Sequence, residues 1–381
     1  MSGSTKINQI IATTATFILV SSPSLKIFYS SQLINIIALA LLLVVYFRNI
    51  QRILNINLNR RFFSFYLIAI LIFFTYLLFG KNSVQDFEGI FRYLYCLTAL
   101  FLLASLNQYV IEGKLGWMIV GWGTLIAVLR VLGLLQYNSE LGQTYLTAGL
   151  PMGAALAGAL MLFSYSKENV LSFKRLLPLI AIIVILSALL ISRGRSNVLY
   201  PIVVFVITLG CVFFFNKRER LKYGLIIIVT GVVAGLFLGD MTSDAEYKSL
   251  NRLSQSAENL EGEERYVKWG NTIQLISANP FGYGVDACYD LIGNYPHNIF
   301  LEIALSYGII IVILFLVFVF RFVRSFAKVF SRHPLNSDTI TLGSIGLYFF
   351  FTWNTSFDLP TSYIPLSIMI LFLTKRKVYE N

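Results

Sequence analysis

The sequence is poor in charged residues, cysteine and histidine. Only 13% of its 381 residues are charged, and it contains three cysteines and two histidines. Cys96 and Cys211 lie in apolar runs and Cys288 lies in a polar stretch, which argues against a disulfide framework or a metal cluster. The sequence also lacks a Walker A motif, HExxH, a nucleophile elbow and an aspartate-rich metal motif. It therefore gives no support for ATP-driven or metal-dependent chemistry, and we expect no cofactor.

Apolar residues dominate the chain instead. They make up 57% of it, and the mean hydropathy is +0.72. Apolar runs of about 20 residues predict an all-α integral membrane protein, with residues 1–381 as a single polytopic domain. We interpret the N-terminal run as a retained first helix rather than a removed signal peptide. We predict about twelve transmembrane helices, near residues 7–21, 31–47, 62–79, 89–106, 117–135, 147–165, 177–192, 197–215, 223–239, 298–320, 341–357 and 361–374.

The formal net charge of +11 comes from lysines and arginines in the connections between these runs. The five connections that follow the second, sixth, eighth, tenth and last predicted helices are basic. All five lie on one side of the membrane if both termini are cytoplasmic. The basic excess is therefore explained by membrane topology, and we expect no nucleic-acid partner.

The same topology places a long loop outside, between the ninth and tenth predicted helices. It covers residues 240–296 and carries more acidic than basic residues. Its second half, residues 269–278, is amphipathic, which is typical of a segment that lies along a membrane surface.

His297 and Asn298 stand where this loop meets the tenth apolar run. Histidine changes charge near neutral pH and can take or give a proton in water-facing chemistry. The alternative interpretation is that Pro296 and His297 simply open a helix, since polar residues are common at the ends of membrane helices.

Arg193 and Arg195 lie in a tight outer turn beside Gly194. Arginine on the outer side is costly in a membrane protein unless it is paired or used. A guanidinium group beside a glycine turn suits bidentate contact with phosphate, and we favour that interpretation for Arg193 over snorkelling to lipid headgroups.

Arg92 and Arg130 lie inside apolar runs. For Arg92, pairing with Asp86 or Glu88 is as plausible as a functional role. Taken together, arginines and one histidine on the outer face fit a substrate that carries phosphate and is already activated. A lipid-linked diphosphate sugar is such a substrate.

Several motifs also resemble the O-antigen ligase and O-antigen polymerase superfamily. They are Arg265-Tyr266-Val267-Lys268-Trp269, then Asn279-Pro280-Phe281-Gly282-Tyr283-Gly284, then Tyr295-Pro296-His297-Asn298-Ile299-Phe300-Leu301-Glu302 with Gly308. The turn Ser192-Arg193-Gly194 is similar to the outer-turn arginine of that family. The chain departs from the family pattern at Ile311, where a second glycine is common, and this affects local helix packing rather than chemistry.

The resemblance implies transfer of a glycan from undecaprenyl diphosphate to a sugar hydroxyl, without metal or nucleotide. The reaction would take place on the periplasmic face of the bacterial inner membrane. Arg193 and Arg265 would hold the diphosphate, and His297 would act as general base or position the acceptor. For Arg265 the alternative is a salt bridge within the acidic run at 261–264.

The resemblance also suggests supporting residues. Asn298 would orient the imidazole or cap the following helix, and Arg195 would assist Arg193. Tyr295 and Trp269 would stack on sugar rings, or would instead be anchors at the membrane interface. Gly282 and Gly284 are expected to shape a turn.

Three functions remain open at this point. The favoured one is an O-antigen polymerase that joins lipid-linked repeat units, with a separate chain-length regulator as a candidate partner. The second is an O-antigen ligase that moves the glycan to lipid A–core. The third is a non-catalytic transporter or flippase of the lipid-linked oligosaccharide, which is disfavoured because charges gather at the ends of the apolar runs rather than in their middles.

Overall fold

A computed structural model gives the architecture of residues 3–25, 28, 32–79, 87–135, 145–165, 172–192, 194–216, 264–331 and 335–380. In these ranges the secondary structure is helical, which confirms the all-α prediction. The helices are α1 Gly3–Leu25, α2 Leu33–Arg48, α3 Ile50–Leu54, α4 Asn57–Phe79, α5 Phe87–Ser105, α6 Glu112–Val131, α7 Tyr145–Tyr165, α8 Phe173–Ile191, α9 Arg195–Phe215, α10 Glu264–Ala278, α11 Ala287–Ile292, α12 Ile299–Tyr307, α13 Ile309–Val329, α14 Ser337–Ser356 and α15 Tyr363–Glu380. Short 3₁₀ turns at Asn107–Tyr109 and Leu359–Ser362 precede α6 and α15.

Five of the described helices contain a stretch long and apolar enough to cross a membrane. These stretches are Leu58–Leu78, Glu112–Val131, Thr147–Tyr165, Ser196–Phe215 and Ile309–Val329. Shorter apolar stretches lie in α2, α5, α8 and at the start of α15. The chain is therefore a multi-pass helical membrane protein, and the total of twelve crossings stays a prediction. The predicted helix at 223–239 and the first part of the predicted loop, residues 240–263, lie outside the described residues.

Helix α7 forms the centre of the bundle because its side chains are small. Its apolar stretch is 78% buried, against 6% for α4 and 11% for α13. Alanine and glycine let neighbouring helices approach closely. A Cβ atom at Gly153, for example, would collide with the Tyr348 hydroxyl of α14. The site therefore rests on a tightly packed interior, while α4 and α13 face outward.

The predicted span 298–320 is wrong in its bounds, because the structure divides this segment at Gly308. Gly308 has φ +84°, and a Cβ atom there would lie 2.7 Å from the backbone carbon of Phe281. The N–H of Ile309 donates to the Pro280 carbonyl at 2.9 Å instead of continuing the ladder of α12. A short helix, α12, thus precedes the span, and α13 extends to Val329, past the predicted end.

Candidate active site

His297 closes the loop that leads into α12, and its backbone is unusual. Its φ is +54°, in the left-handed region that few non-glycine residues occupy. The next residue, Asn298, is extended and is the N-cap of α12. Its side-chain oxygen accepts from the N–H groups of Phe300 at 3.0 Å and Leu301 at 3.2 Å. Of the two roles considered for Asn298, the structure shows helix capping.

Two aromatic side chains hold the residues around His297. The Trp269 indole N–H donates to the Pro296 carbonyl at 2.7 Å. The Tyr295 ring lies 4.3 Å from the His297 ring, measured between centroids, and its hydroxyl donates to the Ser356 carbonyl at 3.2 Å. Burial raises the pKa of Tyr295 to about 12, so its hydroxyl stays a neutral donor at ordinary pH. Both predicted aromatic residues therefore contact the histidine-bearing loop.

Arg265 lies on α10, one turn before Trp269, with a half-buried side chain. Its positive charge lowers the pKa of Tyr295 and so offsets part of the effect of burial. Arg265 is thus within electrostatic reach of Tyr295, whose ring contacts His297. The acidic run 261–264, considered as its alternative partner, has no described side chains.

The predicted arginine turn lies only partly within the described residues. Arg193 is outside them, and of Arg195 only the backbone is described, where it opens α9. The start of α9 packs against α14: the Tyr348 hydroxyl donates to the Asn197 side-chain oxygen at 2.9 Å. One turn after Asn197, the Tyr200 hydroxyl donates to the Thr355 hydroxyl at 3.2 Å.

The end of α14 therefore contacts the histidine-bearing loop and α9, the helix that follows the arginine turn. Ser356 accepts from Tyr295 on the histidine side, and the adjacent Thr355 accepts from Tyr200 on the helix that begins two residues after Arg193. Neither residue belongs to a motif that the sequence predicts to be functional.

Arg92 has a different partner from those considered in the sequence. Its guanidinium forms a salt bridge with Asp358, with Nη2 and Oδ2 2.5 Å apart, although 266 positions separate the two residues. Asp86 lies outside the described residues, and the Glu88 side chain is not described. Arg130 donates to the Leu135 carbonyl just beyond α6 at 3.1 Å.

Asp358 organises the turn between α14 and α15. Its carboxylate is buried and accepts from the Tyr289 hydroxyl at 3.4 Å and from the Thr361 N–H at 3.3 Å. Tyr289 belongs to α11 in the second half of the long loop. Asp358 thus connects α5, α11 and the turn between α14 and α15. The only signal in the sequence was an acidic residue between two apolar runs.

Glu302 is fully buried on α12, within the motif that contains His297. Its Oε1 accepts from the Leu359 N–H at 2.9 Å. Burial raises the pKa of Glu302 well above its ordinary value, and the negative charge of Asp358 raises it further. This environment disfavours the charged form of the side chain, which ties α12 to the turn between α14 and α15.

The motif at residues 279–284 caps the end of α12. Tyr283 and Gly284 donate their N–H groups to the carbonyls of Leu305 at 2.8 Å and Ser306 at 3.0 Å. These are carbonyls that a helix end leaves without an internal partner. Gly282, with φ +88°, allows the two backbones to meet, because a Cβ atom there would lie 2.6 Å from the Ser306 oxygen. The expected turn is present, and it fixes the helix that follows His297.

Asp286 adds a partly buried carboxyl group near the buried Glu302 and Asp358. Burial raises the pKa of Asp286, while the nearby Tyr93 hydroxyl and the charge of Arg92 act in the opposite direction. Within the described part of the chain, no three histidine, cysteine, aspartate or glutamate side chains are grouped so that they could hold a metal ion.

The fold and these contacts define a multi-pass helical membrane protein with a polar site where a loop enters a short helix. Residues 170–316 match the family model described as O-antigen ligase. The matched segment runs from before α8 into α13 and contains His297, Arg265 and the arginine turn. The match confirms the resemblance to the O-antigen ligase and polymerase superfamily. Comparison with curated proteins gives no match.

Proposed function

We propose that this protein is a membrane glycosyltransferase that moves a glycan from undecaprenyl diphosphate to a sugar hydroxyl. The observation that carries the proposal is that two segments, the loop with His297 and helix α9, both contact the end of α14. Through Ser356 and Thr355, this end contacts the Tyr295–His297 loop and the helix that follows Arg193. An imidazole and phosphate-binding arginines near one another are what such a transfer requires.

In the proposed reaction His297 removes the proton from the acceptor hydroxyl. The acceptor oxygen then forms a bond to the anomeric carbon of the donor glycan, while the bond from that carbon to the diphosphate oxygen breaks. Arg193 and Arg265 stabilise the negative charge on the departing undecaprenyl diphosphate. A general base without a protein nucleophile predicts inversion at the anomeric carbon. Because the donor is already activated, the reaction needs neither nucleotide nor metal.

The proposed location is the bacterial inner membrane, with both termini in the cytoplasm and the site facing the periplasm. This orientation is supported by the basic connections in the sequence. Several described ionisable groups gather around the turn between α14 and α15, namely Arg92, Asp286, Glu302 and Asp358. Ionisable groups gathered at the end of the bundle near His297, rather than along its length, favour a reaction at the surface over passage through the bundle.

Two acceptors fit this chemistry. We favour a second lipid-linked repeat unit, which makes the protein a polymerase, because the stretch around Tyr295 and His297 resembles that branch more closely. The ligase alternative, with lipid A–core as acceptor, is supported by the description of the matching family. Both reactions use the same donor and the same site residues.

The test is reconstitution of the purified protein with undecaprenyl-diphosphate-linked repeat units as the only substrate. A ladder of products on a gel identifies a polymerase, whereas transfer that starts only after lipid A–core is added identifies a ligase. His297→Ala is expected to lose either activity while the protein is made and folds normally. His333→Ala is the matched control, since it removes the other histidine of the chain.

Three results would contradict the proposal. Full activity of His297→Ala would rule out the assigned base. Normal activity of both Arg193→Ala and Arg265→Ala would rule out the proposed diphosphate site. Absence of product from the wild-type protein with both acceptors, together with movement of the lipid-linked glycan across the bilayer, would identify a transporter.

A further inference from the structure

A cavity of about 780 Å³ lies between α4, α13 and α15, away from His297. At the end near His297, α4 is joined to the segments that precede α13, because the Tyr76 hydroxyl donates to the carbonyls of Phe281 at 2.7 Å and of Tyr307, the last residue of α12, at 3.0 Å. The cavity opens further along the two helices. Its size is in the range of pockets that hold small organic molecules.

The wall of this cavity is mainly apolar and outward-facing. Phe65 of α4 is 66% exposed, and Leu314 and Val317 of α13 are 60% and 51% exposed. On α13 the lining residues recur every three or four positions from Leu314 to Lys328, so they form one stripe along a helix face. The stripe is roughly 21 Å long at about 1.5 Å per residue. A stripe of this shape suits an extended hydrocarbon chain.

Positive charges occupy the half of the stripe that begins at Arg321. Arg61 lies near the start of α4, Lys328 in the last turn of α13, and Arg321 two turns before Lys328. All three line the cavity, and the described residues that line it include no aspartate or glutamate. An apolar groove that ends in several cations is complementary to a lipid with a negatively charged headgroup.

The charged end lies far from the proposed reaction. Lys328 follows the start of α13 by nineteen residues, which corresponds to roughly 28 Å along the helix, close to the thickness of a bilayer core. The start of α13 is joined through Gly308 to the helix that Asn298 caps. The cations therefore belong to the membrane leaflet opposite His297. A donor diphosphate must lie beside His297, so this cavity is not its site.

We propose that the cavity binds an anionic glycerophospholipid of the leaflet opposite His297, with one acyl chain along the α13 stripe and the phosphate at Arg61, Arg321 and Lys328. The choice of a glycerophospholipid over the lipid-linked donor rests on the proposed function, which places the donor diphosphate beside His297. It applies equally to a polymerase and a ligase.

The test compares two double variants that each remove two exposed arginines. R61Q/R321Q removes cations that line the cavity, whereas R60Q/R324Q removes their sequence neighbours, which do not line it. Each full-length protein is placed in nanodiscs containing phosphatidylglycerol and phosphatidylcholine, and retained lipid is measured by native mass spectrometry. We expect wild-type protein to prefer phosphatidylglycerol. The preference should fall on the order of tenfold or more in R61Q/R321Q and stay within about twofold in R60Q/R324Q.

Equal loss in both double variants would overturn the site, because it would indicate general attraction by the basic face. Equal retention of the two lipids by wild-type protein would also overturn it. If R61Q/R321Q does not accumulate, the single variants R321Q and R324Q repeat the comparison.

A photo-crosslinking residue at Phe65 identifies the occupant directly. A phospholipid adduct supports the proposal. An adduct to a second copy of the protein, or to residues 217–263 of the same chain, would show a different occupant and overturn it.

Discussion

The indole N–H of Trp269 donates to the carbonyl oxygen of Pro296 at 2.7 Å, so a side chain of α10 fixes the backbone immediately before His297. Helix α10 also carries Arg265, one turn earlier. A single helix thus presents the proposed diphosphate ligand and positions the proposed base. A shift of α10 would move both groups together.

We predict that Trp269→Phe lowers the rate of glycan transfer by roughly two- to tenfold, because one hydrogen bond worth about 1 kcal/mol is lost while the ring remains. The rate is measured in the reconstituted assay, with protein level and unfolding temperature measured in parallel. Trp117→Phe, the same exchange in α6, is the control. An unchanged rate in Trp269→Phe would mean that the bond does not position His297.

We predict that Glu302→Gln preserves folding and activity, whereas Glu302→Ala reduces the yield of folded protein. Glutamine resembles the protonated carboxyl group and still offers an oxygen to the Leu359 N–H. Alanine leaves that N–H unsatisfied, at a cost of about 1–3 kcal/mol. A Glu302→Gln protein that unfolds at the wild-type temperature but makes no product would instead place Glu302 in proton transfer.

Glu302 also gives stability a dependence on pH. Its pKa in the folded protein is raised above the unfolded value of 4.5, so folding binds a proton between the two values. The contribution of this group is complete below the unfolded pKa and declines as pH rises toward the folded pKa. Unfolding temperatures measured across this window should decline less in Glu302→Gln than in the wild-type protein.

We predict that Arg92→Ala and Asp358→Ala each destabilise the protein by about 1–3 kcal/mol, because each leaves the other charge without its partner. The double variant should lose less than the sum of the two single variants, with a coupling of about 1–2 kcal/mol. Thermal unfolding in detergent measures all three. Arg324→Ala, which removes an exposed arginine, is the control. Strict additivity would mean that the salt bridge contributes no coupling.

We predict that Gly308→Ala destabilises the protein, by at least 1–2 kcal/mol from the positive φ alone. Its Cβ atom would also press against the Phe281 backbone. Gly270→Ala in α10 meets open space and should be neutral or stabilising by up to about 1 kcal/mol. Unfolding temperatures compare the two variants. Equal temperatures would show that the contact between residues 280–284 and α12 can relax.

The helices could be predicted from the sequence because a membrane imposes long apolar runs, and runs such as 62–79 and 147–165 lie inside α4 and α7. The division of the segment at Gly308 could not be predicted from the sequence. The apolar sequence continues through it, and the cause is a backbone contact with residues 280–284. Five of the described helices are long and apolar enough to cross a membrane, so the total of twelve stays a prediction.

Within the site, the sequence located the residues near His297 because they are close together in the chain. Asn298 as a helix cap follows from its residue type and position. The pairing of Arg92 with Asp358 could not be predicted. It joins α5 to a turn 266 positions later in the chain, and a single sequence contains no signal for such a contact. The role of Arg193 stays a prediction because it lies outside the described residues.

The left-handed backbone of His297 places the proposed catalytic role and stability in opposition at this residue. A non-glycine residue with φ near +54° carries a conformational cost of about 1 kcal/mol or more. Asparagine and glycine adopt this conformation more readily but have no imidazole. A sequence optimised for thermal stability alone would therefore drift away from histidine here. Histidine would be kept at position 297 only if the variants were also selected for formation of the glycan product.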